Sequence, residues 1–89
     1  MRASVAYSAR RAAMVGRFQP IHKGHLKAML DILSEFDELV VVLGSAQLSH
    51  ELDNPFTVGE RMVMVRLALS EAGVRPDRYW LVPVPDAPM

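Results

Sequence analysis

Between Gly16 and His25 the chain places two glycines, an arginine and two histidines in ten residues, within the stretch VGRFQPIHKGH. Guanidinium and imidazole groups donate hydrogen bonds to phosphate oxygens, the guanidinium as a planar fork. His22 and His25 are three apart, so on the first turn of a helix they face the same side. Gly16 is expected to let the backbone turn sharply and approach a ligand closely. A helix opening at Gly24 would present free N–H groups and its positive dipole end to an anion. Lys23 and Lys27 add positive potential nearby. Polyphosphate is the ligand that suits this set. As a metal site the two histidines lack a third ligand, because His50 is the only other histidine and there is no cysteine; zinc is set aside, and no protein-bound metal is expected. No serine stands in a glycine-flanked elbow of the kind a nucleophile needs.

The elements around this stretch decide where it can sit. AAMVG, Ala12 to Gly16, reads as a short strand, and Pro20 biases Gln19 toward extended geometry, which puts the chain reversal there. From Gly24 onward Leu26, Met29, Leu30, Leu33 and Phe36 recur at helical spacing on one face. ELVVVLG, Glu38 to Gly44, is a continuous apolar run, the pattern of a strand covered on both faces. After the polar loop SAQLSHELDNPF, Thr57 and Glu60 form a capping box ahead of a helix with Val58, Met62, Val65, Leu69 and Ala72 on one stripe. Gly73 stands where a glycine ends a helix. YWLVPV, Tyr79 to Val84, reads as a third strand, with Trp80 in the core. Arg61 is either structural or turned toward phosphate, and His50 a loop hydrogen-bonding residue.

The order is β-α-β-α-β, which implies a parallel sheet with right-handed crossovers: an α/β, three-layer Rossmann-like fold, or half of one. Such folds hold ligands beyond the carboxyl ends of their strands. The histidine stretch, the loop after Gly44 and PVPDAPM all lie at those ends. Ser45, Gln47 and Ser49 are small polar residues there, placed to contact a ribose or a base.

Composition limits the alternatives. The chain has 89 residues, 51% of them apolar, enough for one small folded domain. Ten basic residues balance ten acidic ones, so the positive excess of a nucleic-acid-binding protein is missing. No apolar run approaches the roughly 20 residues that span a bilayer. The first eleven residues, MRASVAYSARR, hold three arginines and no acid; we read residues 1–11 as a disordered extension, 12–89 as the nucleotide-binding domain, and the protein as cytoplasmic.

GRFQPIHKGH resembles the first signature of the nucleotidyltransferase superfamily, with its H-x-G-H element at His22, Gly24 and His25. GSAQLSHELDNPFTVGER, Gly44 to Arg61, and YWLVPVPD, ending at Asp86, resemble the second block and third strand of archaeal-type nicotinamide-nucleotide adenylyltransferases. The resemblance runs from Ala12 almost to the end. It implies transfer of AMP from ATP to nicotinamide mononucleotide, giving NAD and pyrophosphate with Mg²⁺. It further implies that His22, His25 and Arg17 are catalytic and hold the ATP phosphates, with Gly16, Phe18, Gln19 and Gly24 completing the ATP site. Asp86 matches a position beside the mononucleotide pocket, and members assemble into oligomers.

Relatives of this kind continue for about as many residues again and carry an S-x-T-E-I-R-like signature, which this sequence lacks. The chain is therefore expected to be the ATP-binding half of such an enzyme. Two other readings stand beside it: a nucleotidyltransferase with another acceptor, such as a flavin or pantetheine phosphate, and a non-catalytic ATP-binding module.

Overall fold

In the computed structural model, which describes residues 10–46 and 56–85, three strands alternate with two helices. They are β1 (Arg11–Gly16), α1 (Lys23–Glu35), β2 (Glu38–Leu43), α2 (Val58–Glu71) and β3 (Tyr79–Pro83), with a single 3₁₀ turn, Pro76–Arg78, before β3. The strands lie parallel in the order β1-β2-β3. Their register sets Gly16 beside Leu43 and Leu43 beside Pro83, so all three strands end at one level. The expected α/β class, half of a Rossmann-like parallel sheet, is the one observed, with two of the three expected layers among the described residues.

One contiguous core holds this together. Met29 and Leu33 from α1 and Val65 and Leu69 from α2 pack with Leu39, Val41 and Leu43 of β2 and Tyr79 of β3. Burying each such side chain contributes about 1.5–3 kcal/mol. Both helices thus cover the same face of the sheet, as two right-handed crossovers in this strand order require. The expectation that β2 is covered on both faces is corrected: its residues alternate between buried and half-buried. The opposite face carries Val15, 72% exposed, together with Trp80 and Val82. Trp80 is therefore not core; it is 56% exposed, and Tyr79 is the buried aromatic of β3. Successive side chains of a strand point to opposite faces, and here only one face has a helical cover. Arg11, Val40, Trp80 and Val82 border a shallow hollow of about 340 Å³ on the open face.

The helix ends are closed by specific partners. At the end of α2, Gly73 adopts φ +84°, Val74 N–H reaches Leu69 O at 2.9 Å and Gly73 N–H reaches Ser70 O at 3.0 Å. That is the two-bond glycine-terminated helix end expected at this position. At the end of α1, Arg78 donates to the carbonyls of Leu33, Phe36 and Asp37 at 2.8, 3.1 and 2.7 Å. β1 begins at Arg11, one residue ahead of the expected strand, and Arg10 is tied to Asp37 by its backbone N–H at 3.0 Å. These two arginines thus join the fold; the rest of the proposed extension lies outside the described residues. Among the described residues no helix is long and apolar enough to cross a membrane.

Candidate functional site

His22 is the N-cap of α1 and His25 its third helical residue, and each ring closes the other's backbone. The N–H groups of Gly24 and His25 donate to His22 Nδ1 at 3.1 and 3.3 Å. In return His22 N–H donates to His25 Nδ1 at 3.1 Å. A capping box is normally built from a hydroxyl and a carboxylate or amide; here it is built from two imidazoles. The rings stack with centroids 3.6 Å apart and 21° between planes. Because both Nδ1 atoms accept, the proton of each neutral ring sits on Nε2. The pair thus presents two N–H donors from one stacked unit at the open end of a helix.

Burial, and then the neighbouring His22, hold the His25 imidazole below its ordinary value near 6.5. The donors at neutral pH are therefore neutral N–H groups at His25, and protonating that ring would put a proton on the Nδ1 that accepts His22 N–H.

Gly24 leaves room for this ring. A Cβ there would lie 3.0 Å from His22 Cε1 and 3.2 Å from Nδ1, tight enough that the ring would have to shift by a few tenths of an ångström. The sharp turn expected at Gly16 does not fall there. The φ of Gly16 is not positive; a Cβ on this residue would meet the Phe18 ring at 3.1 Å. The sharp bend falls instead at Phe18, with φ +54°. The Phe18 ring is buried, 2% exposed, and meets His25 edge-on at a centroid distance of 4.8 Å. Phe18 thus seats the imidazole pair on the core.

Gln19 clamps the far side of the site. Its amide donates to Phe56 O at 3.2 Å and accepts from Phe56 N–H at 3.1 Å, holding the chain just before α2. Arg17 is exposed on the same turn, beside the histidine pair in sequence. Ser45 is 1% exposed and has φ +56°, so its side chain faces inward from the end of β2. Gln47, Ser49, His50 and Asp86 lie outside the described residues.

Arg61 is the residue whose place sequence reasoning left open. It is fully buried and donates through Nη1 to Arg17 O and Gly44 O, both at 2.8 Å, and through Nη2 to Ser45 O at 3.0 Å. Burial, then the neighbouring Arg17, pull its pKa down, yet a guanidinium stays charged. A signal for it existed: 58, 61, 65 and 69 advance by three and four along the buried stripe of α2.

The arrangement can bind an anion of several oxygens. The positive end of α1 and the stacked imidazole pair lie at the carboxyl edge of a parallel sheet, with Arg17 exposed on the turn that leads to them. Among the described residues no three His, Cys, Asp or Glu side chains cluster to hold a metal ion. The described residues do not fit a protein-held metal; a divalent ion would enter on the phosphates of its own nucleotide, which supply the oxygen ligands it prefers.

The fold and this turn define half of a parallel, Rossmann-like α/β domain with an anion-suited turn at its carboxyl edge. The chain belongs to the cytidylyltransferase-like family, whose model matches residues 13–84. It is 57% identical over 76 residues to the nicotinamide-nucleotide adenylyltransferase of Pyrococcus abyssi, an alignment covering 85% of this chain and 40% of that protein. The enzyme of the same name from Ignicoccus hospitalis is 51% identical over 76 residues, with 85% and 44% covered. Among solved structures, a bifunctional NMN adenylyltransferase/ADP ribose pyrophosphatase from Francisella tularensis, complexed with AMP and a manganese ion, superposes with a TM-score of 0.83. It is 30% identical and covers 89% of this chain and 23% of its own. The chain thus spans about 40% of the length of the curated relatives it matches.

Proposed function

We propose that this chain is the ATP-binding half of a nicotinamide-nucleotide adenylyltransferase. The reaction transfers AMP from ATP to nicotinamide mononucleotide, giving NAD and pyrophosphate, in the cytoplasm and within a homo-oligomer. The observation that carries the reading is the pair of imidazoles whose Nδ1 atoms are both occupied by backbone, leaving two Nε2–H donors for a triphosphate. The names of the 51–57% identical relatives support the acceptor.

The chemistry asks little of a side-chain base. The phosphate of the mononucleotide attacks the α-phosphorus in line, and the bond from that phosphorus to the β-phosphate bridging oxygen breaks. The nucleophile is already an anion, so no proton has to be removed. Negative charge grows on the departing pyrophosphate, and fixed donors that need no reorganisation stabilise it. His22, His25 and Arg17 are assigned that role; Mg²⁺ arrives with ATP as part of the substrate. Gly16, Phe18, Gln19 and Gly24 shape the turn, and Ser45, Gln47 and Asp86 are assigned to the mononucleotide side.

Titration calorimetry with Mg-ATP and an assay for NAD test this together. Wild type is expected to bind ATP. His25→Gln keeps an acceptor for His22 N–H but loses the ring N–H, and is expected to weaken ATP about tenfold, the worth of one hydrogen bond to a charged group. Unchanged affinity would remove His25 from the site. Assays with flavin or pantetheine phosphates in place of the mononucleotide check the acceptor, and ATP binding with no turnover on any acceptor would support the purely binding module.

A further inference from the structure

Two described residues other than glycine adopt a left-handed backbone: Phe18, φ +54°, and Ser45, φ +56°. A bulky residue there costs on the order of 1–3 kcal/mol and persists only where its surroundings fix it. Phe18 stands two residues past β1 and Ser45 two past β2, at the edge where the nucleotide site lies. The carbonyl that precedes each bend is held by the same side chain. Arg61 Nη1 donates to Arg17 O, ahead of Phe18, and to Gly44 O, ahead of Ser45; Nη2 then takes Ser45 O itself.

We propose that Arg61 is a positioning residue of the nucleotide site, one guanidinium that fixes both left-handed bends and so sets the turn bearing Arg17 and the histidine pair against the loop leaving β2. The assignment rests on the ATP-binding reading above for its consequence, though not for its geometry. Peptide-plane orientation is the quantity controlled. Turning the Arg17–Phe18 peptide would move the Arg17 side chain on one side and the Phe18 ring, on which His25 rests, on the other. A planar fork can hold carbonyls along fixed directions, and an ammonium cannot. The ladder bond from Gly44 N–H to Gly16 O, 2.8 Å, ties the same two strand ends from behind and gives a backbone reporter of their spacing.

Arg78 provides the control. It too donates to three carbonyls, but at the end of α1 and away from the carboxyl edge of the sheet. Arg61→Lys and Arg78→Lys are to be compared in the full chain by thermal unfolding, ATP titration and amide hydrogen exchange. Both are expected to lower the melting temperature. Only Arg61→Lys is expected to weaken ATP, about tenfold or more by the loss of hydrogen bonds from a charged fork, with Arg78→Lys within about twofold of wild type. Equal effects of the two on ATP affinity would overturn the proposal, since Arg61 would then be a stability element only.

If wild type does not bind ATP, the functional reading fails, and the positioning claim is judged on exchange. Gly44 N–H should then exchange faster in Arg61→Lys than in Arg78→Lys; equal protection sinks it. Should Arg61→Lys not fold, Arg61→Gln, which keeps an N–H₂ donor, is read by the same criteria. If neither folds, the residue serves folding rather than placement and the proposal is wrong.

Discussion

At the start of α2 the Thr57 hydroxyl accepts Glu60 N–H at 3.1 Å, and the Glu60 carboxylate accepts Thr57 N–H at 2.8 Å. At the start of α1 the same two positions are His22 and His25, and the same circuit closes through imidazole nitrogens. The geometry is shared, and the electrostatic outcome is opposite. Glu60 lays a carboxylate in the first turn of α2, where it satisfies the positive end of that helix. The first turn of α1 contains no acid. Its caps spend one nitrogen each on the backbone and keep the other as a donor. A carboxylate cap has no donor to offer, and a hydroxyl carries its single O–H on the same short-reaching oxygen that accepts. The comparison teaches that a helix start can be closed structurally while staying open to an anion, provided the cap is a two-ended ring.

Exchanging the caps breaks the comparison most severely. His22→Thr with His25→Glu would give α1 the start that α2 has. The helix is expected to stay capped, with melting temperature near that of wild type. ATP affinity should fall on the order of 100-fold, since two donors at about 1.5 kcal/mol each are lost and a carboxylate faces the phosphates. Calorimetry and circular dichroism read the two effects separately; retained binding would mean that the imidazoles do not touch the nucleotide.

The converse change acts on the other helix. Thr57→Ala removes the cap of α2 and is expected to cost about 1 kcal/mol of stability in a denaturant titration. ATP affinity should stay close to wild type, because Gln19 holds Phe56 independently through two bonds. A large loss of affinity would show that the start of α2 is part of the binding surface after all.

Acid provides the mildest and sharpest probe. His25 has its folded pKa held below its ordinary value, so the neutral ring is the form the fold prefers. Its contribution is complete above about pH 6.5 and is lost as the pH falls through the lower folded value. Wild type should therefore lose more stability between pH 7.5 and 5 than His25→Gln, by less than the loss of a whole cap. Equal slopes would mean that His25 Nδ1 carries no obligation to the backbone.

These contrasts also mark what the sequence made legible. Thr57 and Glu60 could be read because a hydroxyl and a carboxylate three apart are the ordinary chemistry of a helix start. His22 and His25 have the identical spacing, and the reading that they face one side agrees with their stacking. Their reciprocal capping was hidden because imidazoles rarely serve as caps. Gly24 was legible as part of the signature, while its reason, the His22 ring above it, needed coordinates. The parallel sheet followed from the alternation of elements. Which face of the sheet is covered does not follow, since a period of two says nothing about the side on which helices land, and the exposure of Trp80 is hidden for the same reason. Arg61 falls on the buried spacing of α2, which signals its burial; the carbonyls it reaches, and so what it does there, needed coordinates.

The open sheet face has a practical corollary. The chain has one tryptophan, and it stands on that face in mid-strand, paired in register with Val40. Its indole is on the reverse of the sheet from both helices and from the imidazole pair. Intrinsic emission of this protein is thus a gauge of whatever shields the uncovered side from water, and a poor meter of nucleotide arriving on the other.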